Sequence, residues 1–238
     1  MDLRQFEKKI FSQNGEDGIT IKLIDLIYGE NDCLKFYVEF GVQDGVECNT
    51  RILREMYSWD GLLMDGSYHD ISIGLMKHFI TKENVVELFK KYNVPSKFNL
   101  LSVDIDFNDF YCVKEILENY SCDIIILEYN ATHMPDEDKL VEYSSHSGWD
   151  GSNYFGASLL AYCRLCEKYN YSLVYCESAG VNCFFVRNAV IEENNLKFKD
   201  ISNVSKLYMP PKYGSGPNGG HPEDSLGRKY LTFEEASI

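Results

Sequence analysis

Positive charge is scarce in this chain. Its 238 residues carry 23 Lys and Arg against 37 Asp and Glu, a formal charge of −14 near neutrality. Phosphate backbones are held by clustered Lys and Arg, so the shortage argues against DNA or RNA as a partner. Long apolar runs are missing as well. No segment approaches the roughly 20 apolar residues of a membrane span, and Met1 to Lys9 lacks the apolar stretch of a secretory signal. The expectation is a soluble, cytoplasmic protein. No segment repeats and no low-complexity linker divides the chain, which with 45% hydrophobic residues predicts one sizeable core. Cysteine occurs eight times but in no metal-site pattern: Cys163 and Cys166 form a lone Cys-x-x-Cys, whereas a closed zinc site needs four ligands. The apolar surroundings of Cys112, Cys176 and Cys183 predict reduced, packed thiols. The glycosylation sequons at Asn130 and Asn203 carry no weight in a protein that is not secreted.

What is present is an alternation of strands and helices. Apolar residues recur at helical spacing from Ile19 to Tyr28, and the run Phe36 to Phe40 predicts the first strand. A helix from about Asn49 to Tyr57 and a second strand, Leu62 to Met64, follow. Lys77 to Ile80 reads as a third strand, and Thr81 as the cap of a helix over Glu83 to Tyr92. Asn99 to Asp104 and Cys122 to Glu128 are apolar on consecutive residues, the pattern of strands covered on both faces, with Phe110 to Asn119 as the helix between them. After a long loop comes a helix from Ala157 to Tyr169. Tyr171 to Cys176 and Asn182 to Arg187 are then strands joined by five residues, too few for a crossover helix. The predicted fold is α/β, a mostly parallel seven-stranded sheet closing in an antiparallel hairpin with helices on both faces. It forms one domain over 1–238: an N-terminal helical segment (1–30), a core (31–190) and a tail or lid (191–238).

In such sheets ligands bind beyond the carboxyl ends of the strands, where strand order reverses. Those ends carry Glu39, Asp65, Asp104 with Asp106, and Glu128 with Asn130. Glu39 stands just before Gly41 and Gly45, glycines that permit close backbone approach, and Asp65 follows at the spacing of an acid that receives a ribose. So many acids on one edge repel one another unless a cation sits among them. A sulfonium ligand or a divalent metal would serve, and carboxylate and amide oxygens suit Mg²⁺ or Mn²⁺ better than zinc. Asp109, next in the acidic run, reads as a cap for the following helix.

The segments Ser12-Gln13-Asn14-Gly15-Glu16-Asp17-Gly18, Val38-Glu39-Phe40-Gly41, Leu63-Met64-Asp65-Gly66, Leu101-Ser102-Val103-Asp104-Ile105-Asp106 and Leu127-Glu128-Tyr129-Asn130, in that order, resemble the FkbM-like group of class I S-adenosylmethionine-dependent methyltransferases. The resemblance runs to about Asn188 and implies a Rossmann-like core. It also implies a cofactor site of Gln13, Glu39, Gly41, Asp44, Asn49, Thr50, Asp65, Gly66 and Asp104, with Glu39 and Gly41 at the methionine part and Asp65 at the ribose. By similarity to metal-dependent sugar and catechol O-methyltransferases it implies a Mg²⁺ or Mn²⁺ site of Asp104, Glu128 and Asn130. Tyr129 separates the acid from the amide here, and no lysine follows strand four in the expected place. Relatives of this kind often modify sugars, so the implied acceptor is a sugar in a glycan or glycosylated metabolite, with Asp106, Asp104 or His133 serving the proton transfer.

Two further segments fit that acceptor. The loop Ala131 to Phe155 gathers His133, His146, Trp149, Asp150, Asn153 and Tyr154, side chains that stack on and hydrogen-bond to carbohydrate. The stretch Pro210 to Pro222 is either a lid over the acceptor or a loose end. Two other functions compete: a dinucleotide-dependent oxidoreductase, and a noncatalytic binding module that kept the fold. Gly41 to Gly45 lacks the Gly-x-Gly-x-x-Gly fingerprint, and Asp44 would oppose a phosphate. Oligomeric state is left open, a homodimer included.

Overall fold

The computed structural model describes residues 1–29 and 35–237. After a 3₁₀ turn at Leu3–Phe6, the elements in chain order are α1 (Glu16–Tyr28), β1 (Phe36–Phe40), α2 (Arg51–Tyr57), β2 (Asp60–Asp65), β3 (Leu75–Lys77), α3 (Val85–Lys91), β4 (Lys97–Val103), α4 (Asp109–Asn119), β5 (Ser121–Glu128), α5 (Leu159–Lys168), β6 (Tyr171–Cys176), β7 (Asn182–Arg187), α6 (Asn188–Glu193), α7 (Val204–Leu207) and α8 (Phe233–Ser237). The sheet runs β3-β2-β1-β4-β5-β7-β6. Its first five strands are parallel, and β7 is antiparallel to both β5 and β6. Strand order reverses between β1 and β4.

Consecutive apolar residues on the strands go to opposite faces, as the two-residue repeat of an extended chain requires. Val38, Phe40, Leu101, Val103 and Ile125 pack with α3, α4 and α5 on one side. Tyr37, Leu63, Leu100, Ile124 and Ile126 pack with α1, α2 and Val190 of α6 on the other. Leu101 and Ile125 are fully buried, and truncating either to alanine would cost about 2–5 kcal/mol.

The third strand is earlier than its sequence predicts. Leu75 to Lys77 pair with Leu63 to Asp65, and because β2 stops at Asp65, residues 78–80 have no strand beside them. Thr81 does not cap α3 with its side chain. The bond runs the other way, with Asn84 Oδ1 accepting the Thr81 N–H at 2.9 Å. The boundary drawn at 30/31 lies outside the described residues. The tail is held in place: Leu231 and Leu140 exchange backbone hydrogen bonds of 2.8 and 2.9 Å, and Tyr129 donates its hydroxyl to Met209 O. Among the described residues no helix is long and apolar enough to cross a membrane.

Candidate functional site

At the switch point the exits of β1 and β4 almost touch. Gly41 has φ +75°, and a Cβ there would lie 1.4 Å from the carbonyl oxygen of Asp104. Any side chain would therefore push the two strand tips apart.

Glu39, one residue from the end of β1, is 4% exposed. Its carboxylate accepts the N–H groups of Asn49 and Thr50, both at 2.8 Å, together with the hydroxyls of Thr50 at 2.5 Å and Ser102 at 3.1 Å. Burial raises its pKa against the pull of those four donors. Glu39 thus ties down the start of α2, and its oxygens are already filled. That corrects the direct grip on a ligand assigned to it from sequence. Thr50 is fully buried as its partner, and Asn49 Nδ2 donates to Ser102 Oγ at 3.1 Å.

Asp65 closes β2. One carboxylate oxygen accepts Gln43 N at 2.9 Å; the other accepts Ser67 N at 2.7 Å and Tyr68 N at 3.2 Å. It therefore sets the loops after both β1 and β2, and with Gly66 it lines a cavity of about 550 Å³. A recess of about 140 Å³ adjoins, lined by Glu39, Asp44, Asn49 and Asn182 among others. Gln13, Gly41, Gln43 and Asp104 line both.

The Ser12 to Gly18 segment is mostly scaffolding. One oxygen of buried Asp17 accepts the N–H groups of Ile10, Phe11 and Ser12 and the Ser12 hydroxyl, at 2.7–2.8 Å. Buried Glu16 accepts Asn14 N at 2.8 Å and Asn182 Nδ2 at 2.9 Å. Locking this loop places Gln13 and Asn14 at the cavity wall.

Beyond β4 and β5 the acids are in a different state. Asp104, Asp106 and Glu128 each bring a ligand oxygen within 4.8 Å of the others. Among the described residues no N–H donates to any of them. Burial raises the pKa of Asp104 and Glu128 well above the carboxylate range, and the charges of Asp106 and Asp109 raise both further; Asp104 also raises Glu128, whereas the hydrogen bond between the two lowers Asp104. Asp106 is raised by burial and then by Asp65. Asp109, the first residue of α4, accepts Ile105 N at 2.7 Å, so it braces the preceding loop rather than capping the helix. Burial pushes its pKa up to about 7.

Two residues predicted beside this cluster are used elsewhere. Asn130 Nδ2 donates to Asn153 O at 2.7 Å and Phe155 O at 3.0 Å, while its Oδ1 accepts the Thr132 hydroxyl. With the whole amide engaged, Asn130 ties β5 to the long loop, and Asp106 takes its place in the acidic set. His133 is 5% exposed, stacked edge-on against Tyr230 with centroids 4.6 Å apart, and outside the cavity lining. Burial lowers its pKa to about 4, so it stays neutral.

The outer wall joins residues without a sequence signal to parts of the two segments singled out from sequence. His78, Phe79 and Ile80 line the β3 side, while Trp149, Lys212, Tyr213 and His221 line the opposite side. Trp149 and His221 meet at 4.4 Å, and Tyr213 packs 5.3 Å from His221 with its buried hydroxyl unpartnered. Asp150 and Asn153 face the tail instead: Asp150 pairs with Arg228 at 2.6 Å, and Asn153 bonds Pro222 O and Asp224 N. Tyr154 lies under the Arg228 guanidinium at 4.1 Å. His146 is exposed and bonds only its neighbour Ser145. The segment from Pro210 is therefore a wall of the cavity, a role visible beforehand only in its aromatic and glycine content.

Three converging carboxylates without soft ligands form a donor set suited to a hard divalent cation. No protein-family model matches this chain, and no curated protein matches it in sequence.

Proposed function

We propose that this chain is an S-adenosylmethionine-dependent O-methyltransferase that methylates a sugar hydroxyl in a glycan or glycosylated metabolite, assisted by Mg²⁺ or Mn²⁺. The observation that carries this reading is the un-neutralised cluster of Asp104, Asp106 and Glu128, set at the switch point against a cavity floored by Gly41 and Asp65. The donor supplies a sulfonium methyl and departs as a neutral thioether, and a divalent cation supplies the positive charge that acidifies a nearby hydroxyl.

The chain's own residues do the rest. Asp65 offers acceptor oxygens to ribose hydroxyls, and Gly41 lets the tips of β1 and β4 close together at the cavity. Asp104 and Glu128, with Asp106, would hold the cation. Asp106 is the exposed acid of the three and lines the cavity, which places it to take the acceptor's proton as the new C–O bond forms. Trp149, Tyr213 and His221 give the acceptor an aromatic wall and shield that side from water. A cytoplasmic setting goes with the free cysteines found among the described residues.

A dinucleotide oxidoreductase fits less well. Its pyrophosphate would need the start of the helix after β1, and here the Glu39 carboxylate already occupies the first N–H groups of that segment. Calorimetry with S-adenosylhomocysteine, NAD and MnCl₂ in turn tests the reading, followed by mass spectrometry of a panel of methyl glycosides incubated with labelled donor. Binding of S-adenosylhomocysteine and Mn²⁺ with a gain of one methyl is expected. Binding of NAD alone, or methyl transfer indifferent to EDTA, would overturn the enzyme or the metal assignment respectively.

A further inference from the structure

Asn182 opens β7, and its register partner is Glu128, the last residue of β5. Because β7 runs antiparallel, its first residue arrives at the edge where the parallel strands end. Asn182 is 3% exposed and lines the recess of about 140 Å³. Its Nδ2 is fixed by Glu16 Oε1 at 2.9 Å, which sets the amide's orientation, since only the NH₂ side can face a carboxylate. Its Oδ1 is therefore turned away from Glu16, and it is buried without a partner among the described residues. A buried, unpaired acceptor is costly, and in a native protein it calls for an occupant.

The surroundings specify which. Glu39, Asp44, Glu47 and Asp104 line the same recess with Gln13, Gln43 and Asn49, and no Lys, Arg or His is among the lining residues; Lys9 pairs with Glu47 at 3.2 Å, both side chains more than half exposed. An orphan carbonyl oxygen in a recess whose charged lining residues are all carboxylates suits a cationic donor of small size. Glu39 cannot serve as the direct contact, since its oxygens are filled by α2 and Ser102. We infer that Asn182 Oδ1 accepts a hydrogen bond from the primary ammonium of the methyl donor's amino-acid end, with Glu16 holding the amide in that orientation. The inference rests on the methyl-donor reading above and assigns its ammonium to a residue outside the β1 loop. It also gives Glu16 a purpose beyond fixing a turn.

The test compares two ligands by calorimetry: S-adenosylhomocysteine, and 5′-methylthioadenosine, the same nucleoside thioether without the amino-acid chain. Wild-type protein should prefer the first. In Asn182→Ala its affinity should fall about tenfold to a hundredfold, the range for a bond to a charged donor, while 5′-methylthioadenosine binds within about twofold of wild type. Asn182→Ser, which keeps a hydroxyl for Glu16 but withdraws the carbonyl, should show the same selective loss and guards against misfolding of the alanine variant. Equal losses for both ligands, or no loss for either, would overturn the assignment while leaving the donor site standing. If wild-type protein binds neither ligand, the methyltransferase reading falls and this inference with it.

Discussion

The two halves of the carboxyl edge use the same kind of residue in opposite ways. On the β1–β2 side, Glu39 and Asp65 accept seven hydrogen bonds between them, five from backbone N–H groups, and so act as fasteners for the loops they touch. On the β4–β5 side, Asp104, Asp106 and Glu128 face one another with no described N–H donor among them. A carboxylate ringed by donors keeps its charge at little cost. One surrounded by other carboxylates must hold a proton or gain a cation. The contrast separates acids that fasten the site's loops, of which Asp65 keeps one oxygen with a single donor, from acids with no such donors.

The largest expected effect comes from breaking the second set. Glu128→Gln should abolish Mn²⁺ binding in calorimetry and slow methyl transfer by at least about 100-fold. The same change should stabilise the ligand-free protein by on the order of 1 kcal/mol in urea melts, because it removes a mutual repulsion. A stability loss would place Glu128 with the fasteners.

The converse applies to Glu39. Glu39→Ala strands two backbone N–H groups and two hydroxyls, so a loss of about 2–4 kcal/mol in the same melts is expected. A variant as stable as wild type but unable to bind S-adenosylhomocysteine would reverse the comparison.

pH sharpens it further. Asp109 is pushed up to about 7 by burial, and burial also raises Glu39, Asp104 and Glu128. An acid whose folded pKa exceeds its unfolded value binds extra protons when folded, so stability falls as pH climbs from the unfolded toward the folded value. The unfolding free energy of ligand-free protein from urea melts should drop between about pH 4 and 7, by on the order of a few kcal/mol. Asp109→Asn should flatten that slope, and an unchanged slope would remove Asp109 from the cause.

The smallest effect is expected at His133, which sits outside both regions. His133→Phe should leave turnover within about twofold and the pH–rate profile unmoved, whereas a tenfold loss would restore it as a proton carrier.

Much of this edge was legible beforehand. Phe36 to Phe40, Tyr171 to Cys176 and Asn182 to Arg187 are strands over the residues their composition predicts, since each is a short, mainly apolar run set off by polar neighbours. The third strand was misplaced because a three-residue strand has no pattern of its own. Its extent is set by where β2 ends. Asn130 was misassigned for a similar reason: an amide at a strand tip can face the ligand edge or the loop behind it, and only the position of Asn153 and Phe155 decides. Nothing in the sequence pointed to Asn182, whose place at the edge depends on strand direction.

By itself, the sequence determined which residues are acidic, which runs are buried, and that the strands are joined mainly by helices, because these follow from local composition and spacing. The tertiary structure alone decided which acids are satisfied and which are not. Hydrogen-bond donors such as the amides of Asn49 and Gln43 and the hydroxyl of Ser102 reach a carboxylate only through the close approach of segments that lie apart along the chain, and that approach is a property of packing.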